Sequence, residues 1–532
     1  MLRGDRNLAD ELIRVTEDSA RGSFFLAVGN LVSTVISALG VFIIARLLEP
    51  ELYGVYTLVF TVPAILLLFV NLGVNEGLTK FSASLKAKGE TEKLAKLIKH
   101  GILFNLAIAF SFFTLCFIFS DFLSAYFIAR PEYGGYVRIA AFIILFQALF
   151  NTANAVFVGF YKMEFNAFNL IIAAIVKLLV STLLIIIGLG VLGALTGLIT
   201  SFLIASVLGM LIIVSKIYRS LKNHDDDSCF FGNVKKLLRY GFPLYAAAIA
   251  AGFYLQFQNI ILAFFTSNIE VGYFKAAMNF VTLIGVISIS FSTSVFPAFA
   301  RLEDKLGQLK EFFSLSVKYT TLILLPVVLL IIIFSREIVL LIYGSAYIST
   351  ASYLILIALQ FLLAGLGSIV LGSFFNGIGK TRINLQISSL NLIIFLPLAF
   401  LLTQPYGVYG LIVSNLVATS VSTIYGAFIA KREFSAAPNW KITGKIYLAS
   451  MFSVAPVLIL EIFLDFSIIL KLLVGTLILI SLYLACLAFL HILSWQELTD
   501  LERNIAKTRV LALIMKPFFF YERILLGWLG KT

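Results

Sequence analysis

The chain has 532 residues, of which 60% are hydrophobic and only 13% are charged, and its mean hydropathy is +1.01. Soluble proteins keep about a quarter of their residues charged, so this composition excludes a soluble globular protein. The formal net charge of +12 does not indicate a nucleic-acid partner, because the basic residues stand in short segments between apolar runs, where they would lie beside anionic lipid headgroups.

The apolar runs are continuous and about 20 residues long, which is the length of a membrane-spanning helix. Strands of a membrane barrel would instead show short alternating segments. Because lipid offers the backbone no hydrogen-bond partners, we predict an all-α integral membrane protein. We predict about fourteen transmembrane helices, at approximately 24–44, 55–75, 101–120, 139–160, 167–187, 191–214, 242–265, 273–299, 319–334, 354–378, 385–402, 408–430, 446–464 and 468–490.

The distribution of Lys and Arg predicts the orientation of these spans. With both termini in the cytoplasm, 33 of the 40 basic residues fall in inner segments and six fall at the outer side, while Lys177 lies within a span. This asymmetry follows the rule that cytoplasmic loops are rich in Lys and Arg. We therefore predict a multi-pass protein of the plasma or inner membrane.

Three sequence matches have nearly the same spacing and predict an internal repeat. Gly54 in ELYGVY aligns with Gly272 in IEVGYF, and Gly159 in VGFYKM with Gly377 in NGIGKT, each pair 218 residues apart. GVLGAL, which begins at Gly190, resembles GVYGLI, which begins at Gly407, at a spacing of 217. A six-span repeat brings both copies in from the same side, which predicts two parallel six-helix bundles around a central cavity, followed by two extra helices.

The predicted organisation has six parts. They are a cytoplasmic N-terminal segment (1–23), an N-lobe with spans 1–6 (24–220), a cytoplasmic linker (221–241), a C-lobe with spans 7–12 (242–432), extra spans 13–14 (433–492) and an amphipathic cytoplasmic tail (493–532).

Lys177 is the most informative polar residue, because it stands about ten residues from either end of its span. At 1.5 Å per residue its Cα lies roughly 15 Å deep, too far for the side chain to reach the headgroups comfortably. An ammonium group in lipid is costly, so we expect Lys177 to face a polar cavity and to bind an anionic ligand such as a pyrophosphate. A tilted or longer span that brings Lys177 to a headgroup or a structural partner is the alternative.

Other polar residues near span ends are weaker candidates for the same cavity. Arg46 and Lys275 lie at the outer side and suit either a substrate phosphate or headgroup anchoring, and so does Arg138. Further cavity candidates are Asn75, Glu76, Gln258 and Asn259, for which a polar helix end or hydrogen bonds between helices is the alternative.

The sequence contains no motif for catalysis, for a metal or for another cofactor. A multispan polyprenyl-dependent glycosyltransferase is one alternative, because the first outer loop contains Glu49 and Glu51, but that loop spans only about ten residues. A cation-coupled small-molecule antiporter is another alternative. It requires a carboxylate deep in a span, and no acidic residue stands at a credible midplane position.

Several segments resemble one family of transporters. ARLLEPELYGVYTL (45–58) is similar to the signature at the end of span one in the polysaccharide-biosynthesis flippases of the multidrug, oligosaccharidyl-lipid and polysaccharide exporter superfamily. RYGFPL (239–244), EVGYFKAAMNF (270–280), VFPAFARL (295–302), IYGSAY (342–347) and NGIGKTR (376–382) follow in the family's order. Many relatives have an Asp in span seven, where this chain has Gln258 and Asn259.

The resemblance implies alternating access around a cationic cavity and transport of a polyprenyl-phosphate or pyrophosphate oligosaccharide to the outer leaflet. The partners it implies are this lipid-linked oligosaccharide, membrane lipids, a coupling ion (Na⁺ or H⁺) and envelope glycosyltransferases or a polymerase. The departure in span seven puts the coupling of such an ion in doubt.

Overall fold

A computed structural model describes residues 2–221, 229–463, 467–505 and 509–528, and the regular structure in these ranges is helical throughout. The chain divides into two compact units, Met1–Ala276 and Ala277–Thr532. The first part of the predicted linker, residues 222–228, lies outside the described residues. The predicted lobe boundaries remain predictions.

The described part of the first unit is built from ten helices, of which the last continues into the second unit. They are α1 (Leu2–Leu67), α2 (Val74–Ala87), α3 (Thr91–Ile118), α4 (Ser120–Ile128), α5 (Gly134–Ala140), α6 (Phe142–Gly159), α7 (Met163–Leu184), α8 (Gly190–Ile212), α9 (Phe230–Phe265) and α10 (Asn268–Arg301). Buried side chains of α2, α3, α6 and α9 form one of its hydrophobic clusters, around Leu78, Phe157 and Leu237.

The second unit continues, where it is described, with nine further helices. They are α11 (Leu306–Ile333), α12 (Ser335–Ile342), α13 (Thr350–Ala358), α14 (Leu371–Gly377), α15 (Thr381–Phe434), α16 (Trp440–Phe463), α17 (Ile468–Phe489), α18 (Trp495–Ile505) and α19 (Arg509–Trp528). One of its hydrophobic clusters surrounds Phe299, Phe313 and Phe374.

Nine helical segments in the described residues are long and apolar enough to cross a membrane, or up to eleven if each of two bent pairs is one span. Three of the nine are 40, 55 and 54 residues long, and each is interrupted by residues with non-helical backbone. A helix of 55 residues would be about 80 Å long, far more than the roughly 30 Å of a hydrocarbon core. The all-helical membrane fold is therefore confirmed, and the number fourteen stays a prediction.

The helix breaks repeat at the predicted spacing. Gly190 has φ 50° and ψ −126°, and Gly407 has φ 54° and ψ −136°. Both conformations have positive φ, which side chains with a Cβ rarely adopt. The chain thus reverses between two spans in the same way at two positions 217 residues apart.

The packing of paired glycines also repeats. A Cβ on Gly193 would meet the backbone of Leu184, and a Cβ on Gly410 would meet the backbone of Leu402, 218 residues further on. A Cβ on Gly159 would lie 2.9 Å from the Ser82 Cβ, and a Cβ on Gly377 would lie 2.6 Å from the Phe299 Cβ. These equivalent contacts, all within single units, support the internal repeat.

The tail contains two helices that pack against their own unit. Helix α18 begins with a capping box, in which the Ser494 amide donates to the Glu497 carboxylate at 3.0 Å and the Glu497 amide donates to the Ser494 hydroxyl at 3.2 Å. The same carboxylate accepts a hydrogen bond from Lys318 of α11 at 2.8 Å, and Lys318 is 5% exposed. The capping box stabilises the start of α18, and the ion pair holds it against α11.

We expect Lys318→Met to undock α18 without unfolding it. Removing one partner of a buried ion pair costs about 3–5 kcal/mol, and because Glu497 is 29% exposed we expect about 2 kcal/mol here. The amides of α18 should then exchange with deuterium about thirtyfold faster, while the helical content stays unchanged. Lys310→Met, an exposed lysine on the same helix, is the control. Equal exchange in the two variants would contradict the assignment.

The second tail helix carries a buried carboxyl group. Glu522 of α19 is 0% exposed, and its carboxylate oxygens have no hydrogen-bond partner in the described residues. Tyr483 of α17 is near enough to interact with it electrostatically, and the neighbouring Arg523 pairs with Glu502 of α18. Burial raises the pKa of Glu522 from 4.5 to about 7.

Docking of α19 should therefore weaken as the pH rises. The docked state holds the Glu522 proton more tightly than the released state, so the stabilisation is complete below pH 4.5 and is lost between pH 4.5 and 7. The shift in pKa corresponds to about 3 kcal/mol. We expect Glu522→Gln to remove this dependence and to keep α19 docked at about pH 8, as measured by deuterium exchange corrected for intrinsic rates. The same pH profile in both proteins would assign the effect to another group.

Candidate substrate site

Lys177 lies in the middle of α7, a helix that packs beside α1. A Cβ on Gly40 of α1 would lie 3.5 Å from the Cβ of Leu178, and Gly29 packs against Ala167, so the two helices run in parallel. Lys177 is half-buried, and no charged or hydrogen-bonding group of the described residues pairs with its ammonium group. A cation that its own protein leaves uncompensated inside a span can bind an anion.

Arg46 and Lys275 lie near one close contact between helices. A Cβ on Gly54 would overlap the Asn268 carbonyl oxygen, and a Cβ on Gly272 would overlap the Pro50 carbonyl oxygen. The two contacts are reciprocal: Gly54 and Gly272 are 218 positions apart, and so are Pro50 and Asn268.

The positions of Arg46 and Lys275 can be given relative to the glycine contacts of their helices. Arg46 follows Gly40 by six residues, about 9 Å along α1, and stands just before the break in that helix at Glu49. Lys275 stands about one turn after Gly272. Arg46 is exposed, and Lys275 is half-buried with its Nζ 5.6 Å from the Phe274 ring centroid.

Arg138 has structural partners of its own. Its guanidinium group donates to Asp121 Oδ2 and to Ser120 Oγ, both at 3.1 Å, and so ties α5 to α4. The side chains of Arg138 and Asp121 are 43% and 68% exposed. This pair favours the anchoring interpretation of Arg138 over the substrate interpretation, and its substrate role remains a proposal.

Asn75 and Glu76 belong to a hydrogen-bonded polar network. Asn71 Nδ2 donates to the Glu76 carboxylate at 3.0 Å, and Asn71 Oδ1 accepts from the backbone amide of Asn75 at 2.9 Å. Asn105 Nδ2 donates to Asn75 Oδ1 at 2.9 Å and to Thr152 Oγ1 at 3.0 Å. The network links α2, α3 and α6 through polar side chains.

Gln258 and Asn259 are buried in α9, 4% and 7% exposed. Asn259 Nδ2 donates to Gln256 Oε1 at 3.1 Å, whereas Asn259 Oδ1 has no partner in the described residues. Their neutral amides occupy the place of the Asp that the family resemblance leads one to expect. Their contribution to a substrate site remains a proposal.

Two groups of polar residues were not predicted from the sequence. One is a set of amides buried in the first unit, in which Asn169 Nδ2 donates to Asn154 Oδ1 at 2.9 Å; an Asn inside an apolar run was the available signal. The other is a basic and aromatic cluster, in which Lys80 Nζ lies 3.7 Å from the Tyr240 ring centroid. No pattern in the sequence pairs these two residues, which are 160 positions apart.

The described residues contain no group of three or more His, Cys, Asp or Glu that could hold a metal ion. The predicted role of Lys177, Arg46 and Lys275, binding of a phosphate-bearing anion, stays a prediction. Arg can donate two hydrogen bonds to one phosphate, and Lys supplies a point charge.

The models of two protein families match parts of the chain. The model of the polysaccharide biosynthesis protein family matches residues 43–352, more than half of the chain, and the model of the lipid II flippase MurJ family matches residues 236–483. A probable low-salt glycan biosynthesis flippase, Agl15 of Haloferax volcanii, is 23% identical over 77% of this chain and 83% of its own. A putative O-antigen transporter of Shigella flexneri is 21% identical over 41% of this chain and 51% of its own.

The fold is shared with solved transporters. The inward closed conformation of the lipid II flippase MurJ matches with a TM-score of 0.70 and 17% identity, over 88% of this chain and 98% of that one. The inward-facing conformation of a multidrug resistance MATE family transporter of the MOP superfamily matches with a TM-score of 0.61 and 18% identity, over 76% and 95%. The family resemblance read from the sequence is thereby confirmed: this multi-pass membrane protein belongs to the polysaccharide biosynthesis protein family.

Proposed function

We propose that this protein is a flippase, which carries a lipid-linked oligosaccharide with a polyprenyl-phosphate or pyrophosphate linkage from the cytoplasmic to the outer leaflet. The observation that carries the proposal is Lys177, a cation in the middle of a span with no counter-charge in the described residues. Its family and the names of its relatives, a glycan biosynthesis flippase and an O-antigen transporter, support the same substrate class.

In the proposed mechanism, the first unit supplies the anion site and the bilayer holds the lipid tail. Lys177 pairs with the phosphate, and Arg46 and Lys275 attract it towards the outer side. The ammonium group of Lys177 is neutralised only while substrate is bound, so binding reduces the cost of a charge inside the membrane. Reorientation by alternating access then exposes the phosphate to the outer face.

The setting of this activity is part of the proposal. We place the protein in the plasma or inner membrane with both termini in the cytoplasm, where 33 of the 40 basic residues would then lie. Glycosyltransferases would supply the substrate, and a polymerase or transferase on the outer side would consume it. An Na⁺ or H⁺ gradient is a candidate driving force, and the protein itself carries out no covalent chemistry.

The test is reconstitution of the purified protein into liposomes that contain a fluorescent polyprenyl-pyrophosphate oligosaccharide. A flippase should equilibrate the label between leaflets, so that an added impermeant quencher reaches about half of a symmetric pool at once and the remainder on the time scale of flipping. Liposomes without protein and liposomes with heat-denatured protein are the controls. A protein-independent rate would overturn the proposal.

A cation-coupled antiporter is the second candidate, and it is favoured by the fold shared with a multidrug transporter. Dye efflux driven by a proton or sodium gradient, with no movement of the oligosaccharide lipid, would establish it instead. Appearance of a glycosylated acceptor in the same vesicles would point to an enzyme.

A further inference from the structure

A stripe of apolar and basic side chains runs along the first four turns of α9. Residues three and four apart lie on one face of a helix, and here Phe231, Leu238, Phe242 and Pro243 line an open hollow of about 670 Å³ together with Phe104 of α3. Phe231 is 78% exposed and Phe242 is 51% exposed. Lys235 and Arg239 also line this hollow.

The same two basic residues line a second hollow of about 460 Å³, with Phe81, Lys236 and Tyr240. Lys80 Nζ lies 3.7 Å from the Tyr240 ring centroid, and Lys236 Nζ lies 4.6 Å from the Phe81 ring centroid. Lys235 and Arg239 therefore stand between an apolar hollow and a basic, aromatic one.

The opposite face of this helix is fixed in the first unit. Leu237 is fully buried in the cluster that α2, α3 and α6 share, and a Cβ on Gly77 of α2 would lie 2.9 Å from the Leu237 side chain. The backbones of Gly73 and Gly241 are in contact. This packing places the buried face of α9 against the first unit and leaves the stripe on the other face.

The charge of the cluster is not compensated by the described part of the chain. No carboxylate of the described residues forms an ion pair with Lys80, Lys235, Lys236 or Arg239. Glu90, which interacts with Lys236 at longer range, is engaged by Lys93 at 2.8 Å. An anion is thus expected between the two hollows.

We propose that this site binds an anionic phospholipid, with its phosphate held by Lys235 and Arg239 and one acyl chain in the hollow beside Phe104. A soluble phosphate would leave the apolar hollow in contact with water, and a zwitterionic lipid would leave the excess positive charge uncompensated. Basic pockets beside membrane helices bind anionic headgroups through this combination of charge and apolar contact. The site uses none of the residues of the proposed flippase mechanism, so the two proposals are independent.

The test is native mass spectrometry of the full-length, delipidated protein titrated with phosphatidylglycerol or phosphatidylcholine. We expect the wild-type protein to bind one phosphatidylglycerol molecule tightly. The double variant Lys235→Ala/Arg239→Ala should bind this lipid at least about tenfold more weakly, since each basic residue near an anionic headgroup contributes about 1 kcal/mol. Lys431→Ala/Arg432→Ala, two exposed basic residues at the end of α15, should bind as the wild type does. Lys235→Arg/Arg239→Lys, which keeps both charges, should retain most of the affinity.

Three outcomes would overturn the proposal. Equal binding of the two phospholipids would mean that no headgroup is recognised, and equal losses in both alanine pairs would mean that binding is delocalised. Preferential binding of a polyprenyl phosphate, lost in Lys235→Ala/Arg239→Ala and not displaced by phosphatidylglycerol, would assign the site to the transported lipid. A melting temperature near that of the wild type ensures that a loss of binding is not a loss of fold.

Discussion

Replacing Lys177 by methionine should reduce the flipping of a polyprenyl-pyrophosphate oligosaccharide by at least about thirtyfold, and should leave the protein as stable as before or more stable. Loss of one partner of a desolvated charge pair costs about 2–5 kcal/mol, and this term applies only when the phosphate is bound. Without substrate the ammonium group has no partner in the described residues, and an unpaired charge at the centre of a span costs about 2.5–3.5 kcal/mol. The change therefore removes a cost from the empty protein.

The combination of lost transport and undiminished stability separates binding from a structural role. A structural lysine would lower the melting temperature when replaced, and a lysine that reaches the headgroups would leave transport unchanged. Lys177→Arg should retain part of the activity because it keeps the charge. Lys162→Ala, at an exposed lysine just before the same helix, should behave as the wild type. Wild-type flipping in Lys177→Met, at equal incorporation into liposomes, would remove Lys177 from the mechanism.

The fold class could be predicted because the membrane imposes it on the composition. Continuous apolar runs leave only helices as an arrangement that satisfies the backbone, and the repeated glycines mark where chain reversals recur. Gly190 and Gly407 have nearly the same backbone angles, as their spacing of 217 in the sequence predicts. The number of spans stays a prediction. Two predicted spans can belong to one continuous helical segment, in which a glycine such as Gly190 or Gly407 marks the break between them.

The partners of polar side chains could not be predicted, because they depend on tertiary contacts between distant positions. The sequence alone makes Arg138 as good a phosphate ligand as Arg46, yet Asp121, 17 residues away, pairs with it. Lys318 and Glu497 are 179 residues apart, and no local pattern joins them. For Lys177 the sequence gives its depth within an apolar run, and its predicted role in a polar cavity stays a prediction.

Introducing a side chain at either member of the Gly54 and Gly272 pair should reduce transport at least about tenfold. Small residues allow helix backbones to approach closely in membranes, and a Cβ on Gly54 would overlap the Asn268 carbonyl oxygen, which cannot move aside without its helix. Neighbouring hydrogen bonds restrain that shift: Asn268 Nδ2 donates to the Tyr133 hydroxyl at 2.7 Å, and Arg130 donates to the Thr266 carbonyl at 2.9 Å. Forcing the backbones apart should displace the segments that carry Arg46 and Lys275.

Because the contact is reciprocal, Gly54→Val and Gly272→Val should have similar effects, and the double variant should lose less than the product of the two, since either change already separates the helices. Gly285→Ala on the same helix as Gly272 is the matched control, because a Cβ there would meet no described atom within 4 Å. Transport is measured in the liposome assay, and labelling of a cysteine placed at Val55, which is 3% exposed and adjoins Gly54, reports whether the contact has opened. If both valine variants flip lipid at the wild-type rate while that cysteine becomes more reactive, the close contact is not required for transport, and the glycines serve only the packing of the first unit.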